Sequence, residues 1–245
     1  MKPSVAVLGG LLFGAIGVFC AVVMVEQFTR GEVLNAVVAL GGAAFCFGFV
    51  IPLFKVVPGR VTARVQSDSE GTTFRPDLDI DIPMQASMGG AVVACVLILI
   101  LVPIGKLTIP VPPHMRYSLP FMAAVLTVMG APMLCRNLLR GSTSYLRLTT
   151  RGFELAQGWK SQRGEWVSVK DVAAEPPDKQ KQTPGTIAVV MSDDAVFTLT
   201  ALSFTPDGAA LRELVRFYWQ LPEARDELRN DWPAADAPLV GRERA

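Results

Sequence analysis

Acidic side chains are the residues of this sequence best suited to chemistry. Glu165, Asp171, Asp193 and Asp194 lie in the C-terminal part, and paired carboxylates can act as general acid and base. Asp193 and Asp194 are adjacent between two apolar runs, however, which is typical of a hairpin turn. A serine nucleophile lacks a nearby base, because the only histidine, His114, lies in a separate proline-rich loop. We therefore predict no catalytic residue, no cofactor and no enzymatic activity.

Two further residue types raise the question of a metal site. Asp77, Asp79 and Asp81 alternate along the chain, but the segment lacks the glycine and the bidentate glutamate of a calcium loop. We interpret it as a solvated, turn-forming stretch. The four cysteines, which form no CxxC pair and no Cys/His cluster, are Cys20, Cys46, Cys95 and Cys135. We expect them to pack as small apolar residues and to bind no metal.

Four apolar stretches contain these cysteines and dominate the first 140 residues. They cover roughly 5–25, 33–54, 88–105 and 119–139, without a charged residue in the middle of any stretch. Each approaches the length of about 20 residues that a helix needs to cross a bilayer. We predict an integral membrane protein with a four-helix transmembrane domain at 1–140. Ion or proton pathways usually require ionisable residues inside the membrane, so a transporter or channel is disfavoured.

Basic residues near the ends of these helices predict the orientation. The two short loops, 26–32 and 106–118, together contain three of them. The opposite side contains Lys2, Lys55, Arg60, Arg64, Arg136, Arg140, Arg147 and Arg151. The positive-inside rule therefore predicts a multi-pass protein of the plasma membrane with both termini in the cytoplasm. The formal net charge of the chain is +1, which indicates no nucleic-acid partner.

Small residues four positions apart predict where the helices pack closely. They are Gly10 and Gly14 followed by Gly17 in the first helix, Ala44 and Gly48 in the second, and Gly90 and Ala94 in the third. Two interpretations remain open. These faces pack the four helices against one another, or one of them binds a helix of another protein.

The polar segment 57–83 predicts a β-hairpin inserted in the membrane domain. Val61, Ala63 and Val65 alternate with polar residues, Ser67–Gly71 forms the turn, and Thr72–Arg75 returns. A lone hairpin is marginally stable in water, so we expect it to dock against the C-terminal domain.

The C-terminal part has the composition of a soluble domain. Predicted strands cover Tyr145–Thr149, Phe153–Gly158, Glu165–Val169, Thr186–Met191 and Ala195–Thr200, with a turn at Arg163-Gly164. An amphipathic helix capped by Asp207 follows, with Leu211, Leu214, Val215 and Tyr218 at helical spacing. A short helical stretch covers Pro222–Arg229, and the tail 231–245 is predicted to be flexible.

Three segments of this part resemble bacterial pleckstrin-homology-like domains. They are LRLTTRGFEL at 146–155, EWVSVKDV at 165–172, which contains Trp166, and LPEARDEL at 221–228. The resemblance implies a small β-barrel or bent sheet over 141–230, closed by a C-terminal helix. The fold class is then an α+β membrane protein. The four helices and the hairpin with FRPD at 74–77 are similar in layout to actinobacterial lipid-uptake coordinators, which accompany mammalian-cell-entry (Mce) lipid transporters.

An interaction role follows from these observations. We predict an accessory or stabilising subunit of a larger membrane complex, and the resemblance implies a lipid transporter as the partner. The small-residue helix faces and the aromatic residues Phe217, Tyr218, Trp219 and Trp232 are the candidate contacts. We expect Phe217 and Tyr218 to lie in the core of the domain instead.

The alternative is a pleckstrin-like module that binds or senses anionic lipid headgroups. Lys160, Arg163 and Lys170 flank the predicted second and third strands and are its candidate contacts. The C-terminal part lacks the dense basic cluster that usually marks such recognition.

Overall fold

The structure is a computed structural model that describes residues 3–109, 115, 118–174, 185–206 and 208–229. It divides into two compact units. The helix unit comprises 3–54 and the described residues of 82–141. The sheet unit comprises 55–81 and the described residues from 142 onward. His114, Trp232 and the tail 231–245 lie outside the described residues.

In the described part of the chain, four helices are long and apolar enough to cross a membrane, which confirms the prediction of a multi-pass membrane protein. They are α1 (Pro3–Thr29), α2 (Val33–Val56), α3 (Leu78–Leu101) and α4 (Ser118–Arg140). The largest difference from the sequence prediction is at α3, which begins ten residues before the expected start at 88. Asp79 and Asp81 lie in its first turn, where carboxylates are favoured by the positive end of the helix dipole.

Backbone contact between small residues holds α2 against α3 in the helix unit. A Cβ atom added to Gly41 would lie 2.4 Å from the carbonyl oxygen of Gly90, and one added to Gly48 would lie 2.5 Å from that of Pro83. A hydrogen bond from Ser87 Oγ to the carbonyl oxygen of Phe45 (2.9 Å) joins the same two helices. Larger residues at these glycines would force the helices apart.

The first sheet of the sheet unit is antiparallel and has five strands in sequential order. They are β1 (Arg64–Asp68), β2 (Gly71–Arg75), β3 (Ser144–Thr149), β4 (Gly152–Gln157) and β5 (Lys160–Glu165). The hairpin β1–β2 is part of this sheet, because β2 pairs with β3 and sets Phe74 opposite Leu146. The C-terminal strands thus extend the hairpin, as the marginal stability of a lone hairpin requires.

A second, three-stranded antiparallel sheet and a helix complete the sheet unit. The sheet contains β6 (Val169–Ala173), β7 (Thr186–Met191) and β8 (Val196–Thr200), and helix α5 (Ala209–Gln220) and a 3-10 helix (Pro222–Leu228) follow it. Both sheets and α5 contribute to one apolar core, in which Phe74, Leu146, Ile187, Leu211 and Tyr218 are almost fully buried. This confirms an α+β fold with four long apolar helices and two antiparallel sheets.

The region around Trp166 differs from the sequence prediction. Arg163-Gly164, predicted as a turn, lies within the strand Lys160–Glu165, whereas Trp166–Ser168, predicted as strand, forms a 3-10 helix. Gly164 is required for packing, because an added Cβ would lie 2.7 Å from the Phe153 ring. Trp166 is buried, and its Nε1 donates a hydrogen bond to the carbonyl oxygen of Thr149 (2.8 Å).

The N-terminus of α5 also differs from the prediction. Gly208, with φ of +74°, is the N-cap residue of this helix. Asp207, the predicted cap, lies outside the described residues.

Candidate interaction sites

The aspartates before and within the first turn of α3 form an ionic cluster instead of a solvated turn. The Asp81 side chain is only 2% exposed. Arg64 Nη2 donates to its Oδ2 (2.7 Å), while the backbone N–H and the hydroxyl of Thr143 donate to its Oδ1 (2.9 and 2.8 Å). The solvated interpretation was wrong because it ignored the basic residues that the hairpin brings to this position.

Asp77 forms the second half of this cluster. Lys55 Nζ lies 3.0 Å from its Oδ2, and the backbone N–H groups of Thr62 and Asp79 donate to its carboxylate (3.2 and 3.0 Å). Burial by itself raises the pKa of the Asp77 carboxyl. The hydrogen bonds from Asp79, Lys55 and Thr62 outweigh this effect and hold the pKa below its ordinary value.

We call Lys55, Arg64, Asp77, Asp81 and Thr143 the junction cluster. Its members come from the end of α2, from β1, from the start of α3 and from the link between α4 and β3. The carboxylate oxygens of Asp77 and Asp81 already accept hydrogen bonds from cationic side chains and from backbone N–H groups. Among the residues that the structure describes, no group of three or more His, Cys, Asp or Glu side chains is arranged to hold a metal ion. The cluster therefore fixes chain segments to one another.

The small-residue positions differ in how much of their surface the chain itself covers. A Cβ added to Gly17 would lie 3.1 Å from Cys46 on α2, and one added to Gly48 would lie 2.3 Å from the Cβ of Ser87 on α3. Ala44 packs on Gly90, whose added Cβ would lie 2.9 Å from it, and Gly10 approaches Leu53 on α2 at 3.5 Å. These positions therefore pack the helices of the chain itself.

Gly14 is the exception among the small-residue positions. No atom within the described part of the chain, apart from the backbone of its own helix, lies within 4 Å of where its Cβ would be. The backbone of α1 is therefore accessible at this point. The face around Gly14 is the part of the predicted partner surface that remains open.

The basic residues predicted as a headgroup site do not converge. Lys160 and Arg163 both lie on β5, three residues apart, so their side chains point to opposite faces of the sheet. Arg163 Nε pairs with Glu154 (3.0 Å). Lys170 belongs to β6 of the second sheet and pairs with Asp194 (2.9 Å).

Glu154 is the centre of a polar network on the outer face of the first sheet. The hydroxyls of Tyr145 and Ser161 donate to its Oε1 (2.7 and 2.8 Å), and Arg163 contacts its Oε2. Burial raises the pKa of the Glu154 carboxyl, but these hydrogen bonds and the arginine charge lower it more, so the pKa lies below its ordinary value.

The aromatic candidates on α5 are divided between core and surface. Tyr218 is buried as expected, whereas Phe217 was expected in the core and is 42% exposed. Trp219 is partly buried against the core, and the fourth candidate, Trp232, lies outside the described residues. Phe217 is therefore the most accessible aromatic anchor of the described part of α5.

The carboxylates considered for catalysis lie on strands of two different sheets and in a turn. Glu165 ends β5, and Asp171 on β6 lies 4.0 Å from Arg216 Nη2. Asp193 and Asp194 form the turn between β7 and β8, where Asp193 accepts a hydrogen bond from the N–H of Ala195 and Asp194 has φ of +61°. This confirms that the Asp193-Asp194 pair is a hairpin turn.

Two polar residues that sequence reasoning passed over are distinctive in the structure. Within the described residues, Arg75 Nε and Asn137 Oδ1 are buried without a hydrogen-bond partner. Arg75 lies three residues before α3, and Asn137 lies in the last turn of α4. The isolated asparagine in an apolar stretch was the available signal for the second residue.

Comparison of the chain with protein-family models, with curated proteins and with solved structures gave no match.

Proposed function

We propose that this protein is a non-enzymatic accessory or stabilising subunit of a larger membrane complex, such as a multi-subunit lipid transporter of the Mce type. The observation that carries the proposal is the open backbone of α1 at Gly14, beside helix positions that the chain itself covers. Helices associate in lipid through close contact at small residues. A partner helix is the kind of ligand that such a surface accommodates.

We further propose that the sheet unit is a pleckstrin-like domain that faces the cytoplasm, as do both termini. Two antiparallel sheets that share one core with a C-terminal helix support this assignment. The excess of basic residues on the side of the hairpin supports the orientation. Phe217, on the outer surface of α5, provides a contact for a soluble subunit.

The junction cluster supports a scaffolding role. Its ion pairs and hydrogen bonds involve residues that neighbour three of the four long helices along the chain: Lys55 at the end of α2, Asp81 at the start of α3 and Thr143 after α4. Fixed segments limit the conformational entropy that a scaffold loses when it binds its partners.

Purification of the tagged, full-length protein from native membranes in mild detergent tests the proposal. We expect a stoichiometric set of membrane subunits to co-purify. Gly14→Leu should reduce the co-purified subunits several-fold, whereas Ala15→Leu, at an exposed position on a different side of α1, should not. A protein that purifies alone as a monomer or homodimer would refute the accessory role.

A second candidate, contact with anionic lipid headgroups, is favoured by two other arginines. In the described part of the chain, neither Arg60 nor Arg75 is in an ion pair. Arg75 lies directly opposite Arg64 on β1, and like charges in that position repel unless they are neutralised. Asp81 neutralises Arg64 but not Arg75.

Nanodiscs of increasing phosphatidylglycerol content test this candidate with the full-length protein. We expect the anionic lipid to raise the thermal stability, and added salt to reduce the effect. Arg60→Ala/Arg75→Ala should abolish the gain, while Lys160→Ala/Arg163→Ala should retain it. An unchanged gain in the first double variant would exclude these arginines as the contact.

A further inference from the structure

A cavity in the helix unit lies near Asn137, whose Oδ1 is one of four buried side-chain atoms without a hydrogen-bond partner in the described part of the chain. Its volume is about 370 Å³, within the range of small-molecule sites, and residues of α2, α3 and α4 line it. Its walls include Phe45, Phe49, Met84, Met88, Leu126 and Gly130. The walls are almost wholly apolar, and the one serine among them, Ser87, already donates its hydroxyl proton to a backbone carbonyl. The cavity therefore suits a hydrocarbon chain.

Asn137 is not part of the cavity wall but lies behind one of the residues that form it. Leu126, Gly130 and Asn137 are four and seven residues apart, so they share one face of α4. Asn137 Nδ2 lies 3.8 Å from the sulfur of Met88, which is itself part of the cavity wall. The asparagine thus contacts the wall of the cavity at Met88.

The buried carboxamide of Asn137 destabilises the folded protein. The residue is 1% exposed, and its Oδ1 has no hydrogen-bond partner in the described part of the chain. A thioether sulfur is a weak acceptor, so Nδ2 gains little from Met88. A buried polar group without a partner destabilises a protein, and hydrocarbon surroundings increase the cost. Such a group in a native protein requires an explanation, and a ligand that hydrogen-bonds to it would provide one.

We propose that this cavity binds the chain of a membrane lipid whose uncharged hydroxyl group hydrogen-bonds to Asn137. Asn137 is three residues from the end of α4, whereas Leu126 and Gly130, which line the cavity, are nearer the middle of that helix. The site is thus polar at Asn137 and apolar along the cavity, as an amphiphile is polar at its headgroup and apolar along its chain. A hydroxyl donates and accepts, so it satisfies the carboxamide oxygen or its N–H group.

The composition of the walls indicates adaptable binding of the chain. Met84 and Met88 have flexible, polarisable side chains that adjust to irregular partners. Ala91 and Gly130 leave the space that larger residues would fill. The site thus recognises a hydroxyl group at one end and accepts chains of different shape. It is separate from the Gly14 face and does not depend on the accessory role.

Photolabelling of the full-length protein in phosphatidylcholine nanodiscs tests the proposal. The probe is a long-chain fatty alcohol with a diazirine in its chain, and the matched probe is its methyl ether, which cannot donate a hydrogen bond. We expect the alcohol to label α3 and α4 peptides at the cavity about three- to tenfold more than the ether, the factor that one net hydrogen bond provides. Equal labelling by both probes would overturn the proposal, and this comparison needs no substitution.

Three variants then define the site. Asn137→Leu should lower labelling by the alcohol to the level of the ether and leave the ether unchanged. Ala91→Phe should fill the cavity and block both probes. Val128→Phe, at an exposed position on α4 that does not line the cavity, should label as the wild type does. Undiminished labelling of the correctly folded Ala91→Phe protein would show that the probes bind outside the cavity and would overturn the proposal.

Discussion

In the sheet unit the core consists of large side chains, whereas in the helix unit the closest contacts involve glycines. Phe74, Leu146 and Tyr218 are almost fully buried in the first, while Gly41 and Gly48 lie against neighbouring backbone in the second. In water, burial of apolar area stabilises a fold. In a bilayer the same burial gains little, because lipid tails are as apolar as leucine. In hydrocarbon the remaining gain comes from close van der Waals contact, which small residues permit.

The largest loss of stability should follow from a substitution that creates a cavity in the core of the sheet unit. Phe74→Ala removes a fully buried ring from the strand that links the hairpin to β3, and should destabilise the sheet unit by about 3–5 kcal/mol. Chemical unfolding of the full-length protein in mild detergent, followed by tryptophan fluorescence, measures this loss. The control is Thr73→Ala on the outer face of the same strand. Equal losses in the two variants would contradict the core described here.

A larger side chain at a closely packed glycine should destabilise the helix unit. The Cβ of Gly48→Val would collide with Pro83 and Ser87, so we expect a loss of about 1–3 kcal/mol. The same substitution at the open Gly14 should cost much less. Thermal denaturation in detergent compares the two variants. If Gly14→Val were as destabilising as Gly48→Val, close contact would not be what distinguishes the covered positions.

The smallest effect should be an acid sensitivity confined to the sheet unit. The pKa values of Asp77 and Glu154 lie below their ordinary values, so both ionised carboxylates stabilise the folded state above the ordinary carboxyl range. This contribution should be lost progressively as the pH falls from about 5 through the lowered values. Unfolding curves at several pH values should be less pH-dependent for Asp77→Asn/Glu154→Gln. An equal dependence in wild type and variant would contradict the assignment.

The sequence was sufficient to predict the long helices because uncharged length is a local property. Three of the four, α1, α2 and α4, begin and end within a few residues of the predicted bounds. The start of α3 required more information. Asp77, Asp79 and Asp81 look like a polar turn until Lys55 and Arg64 are known to neutralise them, and no pattern within that stretch reveals those partners.

β5 shows the same limit in the sheet unit. Lys160–Glu165 is polar on both faces and lies at the edge of its sheet, so its pairing with β4 makes it a strand. Gly164 was interpreted as a turn residue, although its function is to make room for the Phe153 ring. The polar site at Asn137 was missed for a related reason, since only the packed helices bring the cavity next to it.

The pairing of β2 with β3 has a consequence for how the protein is made. β2 leaves the ribosome before α3 and α4, but its partner strand is synthesised only after both. The first sheet therefore cannot be completed until α4 and β3 have been synthesised, and the hairpin β1–β2 lacks its neighbouring strand during that time. Translation from residue 142 alone would yield a sheet without two of its strands and without Phe74, a fragment expected to aggregate rather than fold.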